Sequence, residues 1–180
     1  PLGSASIAQV HRATLRDGTK VVLKVQRPGL LPLIRSDVDI LRTLARMLDS
    51  LIEEIGYFNL PSLVEEFERT IVEELDFSRE RHNIEHFISR YGDKAMFEFP
   101  TPYVALSCSN ILVMAELVGK KITTVEPNTE VAHKMAHAML ELAFEMIFKD
   151  GVFHGDPHPG NIFATPDDRI AVLDFGAVGS

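Results

Sequence analysis

The sequence predicts an α+β protein with a small sheet-bearing lobe, a short connector and a helical lobe. Two observations indicate this class. The patterns follow the order hairpin, helices, hairpin, long helix, and then a loop with a last hairpin. The 180 residues are 46% hydrophobic, which suits one globular unit with a substantial core. The connector is expected around Glu116–Gly119, so that residues 1–118 form the first part and residues 119–180 the second.

The first hairpin is predicted from Ser6 to Val25, where apolar and polar residues alternate on both sides of Asp17-Gly18. The segment "RPGLLP" ends its second strand. A first helix follows, because apolar residues recur at helical spacing from residue 40 to residue 55. Gly56 is its expected end.

A second helix is predicted to open at Pro61-Ser62, with Ser62 and Glu65 in the positions of a capping box. The charged stretch "EELDFSRERHN" is expected to continue as helix. The segments "YVALS" and "NILVMAELV" are then predicted as two strands joined by a short turn.

The last helix is predicted from Thr129 to Lys149, and Asp150-Gly151 is its expected end. Two short strands near "NIFAT" and "RIAVLDF" follow, joined by a turn at residues 166–168. The polar segment "FHGDPHPGNIF" lies between the helix and this hairpin.

The composition argues against several classes of protein. The net charge is −8 and the 18 basic residues are spread along the chain, whereas nucleic-acid binding needs clustered Lys and Arg. Cys108 is the only cysteine, so no intrachain disulfide can form. No apolar run reaches the ~20 residues that cross a bilayer, and the first ten residues do not resemble a signal peptide.

The chain lacks an initiator methionine and stops shortly after "DFG", so we interpret it as part of a longer protein. We expect a cytoplasmic or membrane-peripheral location. Any membrane attachment is expected to come from segments outside these residues.

A phosphate-binding pair is the first candidate site. Lys24 lies among strand-forming residues in "VVLKVQ", and one strand earlier the segment Gly3, Ser4, Ala5 and Ser6 offers small side chains and backbone N–H groups. A phosphate can approach such a backbone while an ammonium group neutralises it. A solvent-facing lysine is the simpler interpretation of Lys24 taken alone.

A lysine that holds phosphates needs a carboxylate to orient it. Glu74, Asp76 and Glu80 are the acidic candidates in "EELDFSRE". On one continuous helix, Asp76 and Glu80 would share a face, whereas Glu74 and Asp76 would not. A solvated acidic face is the alternative.

The segment "FHGDPHPGNIF" contains side chains whose oxygen atoms could bind a metal ion. Four residues separate Asp156 from Asn161, and Asp174 follows in "VLDFGAVG". Carboxylate and amide oxygens suit Mg²⁺. An Asp and an Asn at this spacing, followed by Asp-Phe-Gly, form the arrangement of protein kinases, in which the Asn and the second Asp hold metal.

The histidines of the same segment offer a different interpretation. His154 and His158 flank Asp156 and could bind Zn²⁺ or Fe²⁺. No third ligand is marked by the sequence, and the helical spacing of a zinc protease motif is missing. We therefore favour histidines that shape the loop by hydrogen bonding.

Taken together, the chain resembles the UbiB family, the AarF-type atypical protein-kinase-like proteins. The matching segments are "PLGSASIAQVHRATLRDGTKVVLKVQRPG", "EELDFSRERHN", "FHGDPHPGNIF" and "VLDFGAVG". The resemblance implies a two-lobed protein-kinase-like fold that is truncated after the DFG motif. It extends over essentially all 180 residues.

The resemblance also implies roles for single residues. Residues 3–6 correspond to the family's alanine-rich nucleotide loop, and the backbone of Glu116 and Val118 to the hinge that binds adenine. The other correspondences are the phosphate-contacting lysine Lys24, its partner Glu80, the E-x-D pair Glu74 and Asp76, the catalytic-loop Asp156, and the metal ligands Asn161 and Asp174. The chain departs from the family in having Gly3-Ser4-Ala5 where members often have three alanines, and in lacking the lysine-glycine-glutamine segment.

The function implied is that of an ATP-dependent atypical kinase or ATPase that uses ATP or ADP with Mg²⁺. The resemblance links it to ubiquinone or isoprenoid-lipid biosynthesis, with lipids or quinone-pathway proteins as partners. One alternative is a small-molecule kinase of the aminoglycoside or choline type, which Asp174-Phe175-Gly176 argues against. The other is a catalytically silent nucleotide-binding module, which the intact polar residues argue against.

Overall fold

A computed structural model describes residues 2–51 and 59–179. Its first sheet has the strand order β1 (Gly3–Ser4), β2 (Ala8–Thr14), β3 (Lys20–Gln26), β5 (Ile111–Ala115), and all neighbours are antiparallel. The predicted hairpin is confirmed, because β2 and β3 pair along their whole length. Its turn contains Gly18 at φ 89, a conformation that glycine adopts without strain.

Helix α1 (Leu30–Leu51) begins directly after Gly29, at φ 75, and therefore ten residues before the predicted periodicity. Helix α2 (Leu60–Glu74) packs against it. The predicted end at Gly56 lies outside the described residues. The predicted capping box is wrong, because α2 starts at Leu60 and the side chain of Asn59 accepts a hydrogen bond from the backbone N–H of Ser62.

The prediction of one continuous helix through "EELDFSRERHN" is also wrong. Helix α2 ends at Glu74, and a separate helix α3 (Phe77–Tyr91) begins after two intervening residues. Asp76 has an extended backbone, and its carboxylate accepts from the N–H of Ser78, so it acts as the N-cap of α3. The break redirects the chain and places Glu80 in the first turn of a new helix.

The segment "YVALS" is not a strand. Val104–Leu106 forms a 3₁₀ turn, and beside it only single bridges join Pro102 to Met114 and Cys108 to Ile111. Proline lacks the N–H that a regular ladder requires. The backbone N–H of Val113 donates to the hydroxyl of Ser107 and not to a strand partner. The second predicted strand of this pair is β5.

A long helix precedes the loop that carries Asp156. Helix α4 (Glu130–Glu145) is capped by Thr129 and continues as a π-helical turn, Met146–Asp150, which ends at Gly151 with φ 68. This agrees with the predicted helix. None of the helices in the described parts of the chain is long and apolar enough to cross a membrane.

Two further sheets complete the described residues. The larger has the order β4 (Phe97–Glu98), β9 (Ile170–Val172), β8 (Ile162–Ala164), β6 (Lys120–Lys121), with β4 and β9 parallel and the predicted β8–β9 hairpin antiparallel. The smaller pairs β7 (Phe153–His154) with β10 (Val178–Gly179). A buried cluster joins α3, α4 and these sheets, and Phe175 lies at 0% exposure within it.

Candidate active site

A lysine and two carboxylates from three separate elements meet in one place. Lys24 lies in the middle of β3, and its Nζ donates to the two carboxylate oxygens of Glu80 at 2.9 and 2.8 Å. Glu80 reaches it from the first turn of α3. Asp174 follows β9, and its Oδ1 lies 3.5 Å from Nζ of Lys24. One ammonium group therefore faces both carboxylates.

The two carboxylates differ in their protonation energetics. Loss of solvation, the largest effect, raises the pKa of Glu80, whose side chain is 4% exposed, and Lys24 offsets this only in part. Loss of solvation also raises the pKa of Asp174. The attraction of Lys24 and the hydrogen bond from the N–H of Gly176 outweigh this effect, so that the pKa of Asp174 lies below its usual value. Of the two carboxylates, Asp174 is therefore the one whose pKa is shifted in favour of the ionised form.

Lys24 remains a cation in this setting. Loss of solvation lowers its pKa, but the attraction of Glu80 and Asp174 outweighs that effect and raises the pKa of Lys24 above its usual value. A positive charge therefore lies beside both carboxylates.

The segment from β7 to β8 places Asp156 and Asn161 next to this group. The amide nitrogen of Asn161 donates to Oδ2 of Asp156 at 3.4 Å. His154 contacts the backbone carbonyl of Asp174 through Nε2, and its Nδ1 accepts from the N–H of Asp156 at 3.2 Å. Nδ1 of His158 accepts from the N–H of Gly160. Both histidines therefore bind backbone groups and shape the loop.

The described residues hold no group of three or more His, Cys, Asp or Glu side chains arranged to bind a metal ion.

Two neighbouring cavities open onto these side chains. The larger, of about 460 Å³, lies in the size range of ligand-binding pockets. A smaller one of about 170 Å³ lies beside it. Both are lined by Lys24, Glu80, Asn161 and Asp174.

The remaining predicted residues divide between the cavities. The larger is lined by Gly3, Glu116 and Val118, and the smaller by Glu74 and Asp156. Ser4, Ala5, Ser6 and Asp76 line neither of the two. The structure therefore brings nine of the thirteen predicted residues to one cleft, and Asp76 has the helix-capping contact described above.

Gly3 and Ser4 form β1, the edge strand of the first sheet. The side chain of Arg27, at the end of β3, donates to Oγ of Ser4 at 2.7 Å and to the carbonyl of Ala5 at 3.1 Å. This arginine therefore holds the small-residue loop in place. No motif in the sequence indicated that contact.

Arg12 is a second residue that sequence reasoning missed. It lines the larger cavity, and its guanidinium forms an ion pair with Glu116, whose side chain is 10% exposed. The alternation of β2 could have indicated it, because Val10 and Arg12 lie two residues apart and line the same cavity. Glu116, predicted to act through its backbone, thus also has a paired side chain.

Comparison with known proteins identifies the family of this chain. The family model described as the ABC1 atypical kinase-like domain matches residues 1–180. The chain belongs to the ABC1 atypical kinase-like family. The predicted resemblance to UbiB is confirmed, since proteins named Probable protein kinase UbiB from Pseudomonas aeruginosa are 36% identical over 187 residues.

Another ABC1 relative is the Arabidopsis thaliana protein ACTIVITY OF BC1 COMPLEX KINASE 1, chloroplastic, which is 38% identical over 182 residues and matches 98% of this chain. The match spans 26% of the length of that protein and 35% of the Pseudomonas protein. The ABC1 domain described here therefore corresponds to a minor part of these relatives.

Solved structures place the ABC1 chain in the kinase-like fold. Rv3197 of Mycobacterium tuberculosis, determined as a complex with erythromycin, has a TM-score of 0.80 and 28% identity, with 99% of this chain and 45% of that chain covered. The Rio2 kinase of Chaetomium thermophilum, in an ADP/Mg²⁺-phosphoaspartate complex, has a TM-score of 0.57 at 16% identity, with 99% and 47% covered. The predicted α+β, kinase-like fold class is confirmed.

Proposed function

We propose that this chain binds ATP or ADP with Mg²⁺ in the cleft described above and acts as an atypical kinase or ATPase. One observation carries the proposal: the buried Lys24–Glu80 pair faces Asp174, and Asp156 and Asn161 line the same cleft. Membership in a kinase-like family supports it. A charged triad of this kind is the arrangement that phosphoryl transfer uses.

The donor set fits a magnesium ion. Mg²⁺ prefers oxygen ligands, and Asp174 is held ionised while its side chain remains 42% exposed. The amide nitrogen of Asn161 is turned to Asp156, which leaves its carbonyl oxygen as the atom for a cation. When bound, Mg²⁺ supplies positive charge that neutralises the phosphate oxygens.

The chain's own residues then have distinct roles. Lys24 binds phosphate oxygens through its ammonium group, and Glu80 fixes the direction of that group by accepting two hydrogen bonds. Apolar side chains of the larger cavity, including Val10, Val22 and Leu173, cover the adenine ring.

Asp156 is exposed and lines the smaller cavity, where it orients the acceptor. In the transfer, the bond from the terminal phosphorus to its bridging oxygen breaks and a bond to the acceptor oxygen forms. The acceptor proton passes to Asp156 or to solvent. Water as the acceptor gives an ATPase, and a hydroxyl group gives a kinase.

The test measures calorimetric binding of ATP and ADP with Mg²⁺, and phosphate release, for the natural full-length protein. Lys24→Met and Asp174→Asn are expected to weaken nucleotide binding at least tenfold, the factor for about 1.4 kcal/mol of lost interaction. Asp156→Asn is expected to retain binding and lose turnover. Arg69→Gln, which removes an exposed ion pair on α2 with Glu66, is the matched control.

Two results would contradict parts of this proposal. Unchanged binding in both Lys24→Met and Asp174→Asn would remove the assignment of the cleft. Tight nucleotide binding without phosphate release, under any lipid or protein addition, would favour a non-enzymatic nucleotide-binding module.

We further propose that the activity serves ubiquinone or isoprenoid-lipid biosynthesis, on the strength of the similarity to proteins named UbiB. The test measures the quinone content of cells that lack the protein, before and after the natural sequence or a variant is reintroduced. Restoration by the natural sequence but not by Asp174→Asn is the expected result, and equal restoration by both would contradict the proposal.

A further inference from the structure

The backbone around Asp174 is held by side chains from two other elements. The carbonyl of Phe175 accepts a hydrogen bond from Nδ2 of Asn83 at 2.8 Å. The carbonyl of Asp174 is contacted by Nε2 of His154. Asn83 lies on α3, three residues after Glu80, and is half-buried.

These contacts act on two successive peptide planes. A carbonyl and the following N–H belong to one rigid planar unit and point in opposite directions. His154 contacts the Asp174 carbonyl, which belongs to the Asp174–Phe175 plane. Asn83 holds the Phe175 carbonyl, and the N–H of that plane, on Gly176, donates to Oδ1 of Asp174 at 3.0 Å.

The contact of Asn83 therefore reaches the proposed metal ligand through one peptide plane. Oδ1 of Asp174 receives two donors, the N–H of Gly176 and the ammonium of Lys24. Rotation of the Phe175–Gly176 plane would withdraw the first of them and release the carboxylate to turn. The buried ring of Phe175 anchors the side chain but does not fix that plane.

We propose that Asn83 is a positioning residue that orients the Asp174 carboxylate for the metal ion by holding the Phe175–Gly176 peptide plane. This inference rests on the proposed nucleotide and Mg²⁺ function. If Asn83 had a purely structural role, it would still donate to the Phe175 carbonyl, but its substitution would change stability alone. The two roles differ in their effect on metal affinity.

The experiment uses the natural full-length protein with ADP and Mn²⁺, whose binding is followed by electron paramagnetic resonance. Asn83→Ala removes the donor, and Asn83→Asp sets a carboxylate against the carbonyl. Both are expected to weaken Mn²⁺ binding about five- to tenfold, which is the factor that one neutral hydrogen bond supplies. Affinity for ADP in excess chelator is expected to stay within about twofold, because the plane does not contact Lys24 directly.

Two further variants complete the design. Asn83→Gln keeps an amide donor and is expected to recover most of the Mn²⁺ affinity, and it serves as the informative variant if Asn83→Ala does not fold. Glu85→Gln changes a partly exposed residue of the same helix whose ion pair is with Arg81, and it is expected to match the wild type. In metal-free protein, amide hydrogen exchange at Gly176 is expected to be faster in Asn83→Ala.

The outcomes distinguish failure of the proposed nucleotide and metal binding from failure of the positioning role of Asn83. Wild-type protein that binds neither ADP nor Mn²⁺ overturns the proposed function, and the positioning role with it. Wild-type protein that binds both, with Asn83 variants of lower thermal stability and unchanged Mn²⁺ affinity, overturns the positioning role alone.

Discussion

Removal of Lys24 is expected to destabilise the protein more than removal of its main partner. The Lys24 and Glu80 side chains are 14% and 4% exposed, with 2.8 Å between Nζ and Oε2. At an effective dielectric constant of about 20, this distance corresponds to about 6 kcal/mol of attraction, before the cost of desolvation is subtracted. The 42% exposure of Asp174 screens its own 3.5 Å contact with Lys24.

The asymmetry follows from what each substitution leaves behind. Lys24→Met leaves Glu80 buried without its cation and with Asp174 as a neighbour, which is expected to cost about 3–5 kcal/mol of unfolding free energy. Glu80→Gln leaves Lys24 paired with Asp174, and its amide oxygen still accepts from Nζ. The expected cost is about 1–2 kcal/mol.

The pH dependence gives an independent check. The folded-state pKa of Glu80 is raised by burial, and loss of Lys24 removes the nearest influence that lowers it. A carboxyl group whose folded pKa exceeds its unfolded value contributes stability that is present at low pH and is lost as pH rises through the folded pKa. The deficit of Lys24→Met should therefore shrink from pH 8 to pH 5. The deficit of Glu80→Gln should instead grow in that direction, because only the wild type carries the carboxyl group with the raised pKa.

The assay is urea unfolding followed by circular dichroism at pH 5, 6.5 and 8, values chosen to bracket neutrality in roughly equal steps. The double variant Lys24→Met/Glu80→Gln should be less destabilised than Lys24→Met alone, by about 1–3 kcal/mol. Arg69→Gln, from an exposed pair, should cost less than about 1 kcal/mol. A Lys24→Met deficit equal to that of Arg69→Gln, or one independent of pH, would refute the reasoning.

Three other substitutions test the surroundings of the site by thermal unfolding. The pKa of Asp150 is lowered to about 2, first by the hydrogen bond from Arg90 and then by that from Tyr91. The stability difference between wild type and Asp150→Asn should therefore be complete above about pH 4 and disappear as pH falls towards 2; a constant difference would contradict this. Tyr91→Phe should cost about 1 kcal/mol or more, because it removes the hydroxyl that this 2% exposed residue donates to the Asp150 carboxylate. Gly119→Ala should cost about 1–3 kcal/mol, because its Cβ would lie 2.7 Å from a backbone oxygen of β8, whereas Gly3→Ala, with open space around it, should cost less; equal costs would contradict the packing argument.

The sequence indicated most of the fold because its strongest elements have local causes. Alternation around Asp17-Gly18 determines the first hairpin, and a Thr cap with helical periodicity determines α4. The wrong prediction of one continuous helix concerns the break between α2 and α3, where distant partners decide. The amide of Gln26 donates to the carbonyl of Leu75, and the N–H of Phe77 donates to Ser109, so the ends of both helices are held by other strands and loops.

The candidate site shows the same division. Asp156, Asn161 and Asp174 lie in short motifs whose residue types and spacing, taken together, indicate phosphate chemistry, and Lys24 gains its meaning beside them. Arg12 and Asn83 were missed because their partners are 104 and 92 residues away along the chain, and neither lies in a motif with a known chemical meaning. Only the folded chain could reveal those contacts.

Helix α3 connects these parts of the site. Its first turn presents Glu80 to Lys24, its next turn presents Asn83 to the peptide after Asp174, and its last residue, Tyr91, donates to Asp150. Glu80, the backbone after the proposed metal ligand Asp174, and the start of the segment that leads to the loop carrying Asp156 therefore depend on a single rigid element. A shift of α3 would loosen all three at once, because one helix cannot move Glu80 while leaving Asn83 in place. The separate cap at Asp76 matters for the same reason: it fixes where this helix begins, and thus which side chains face the cleft.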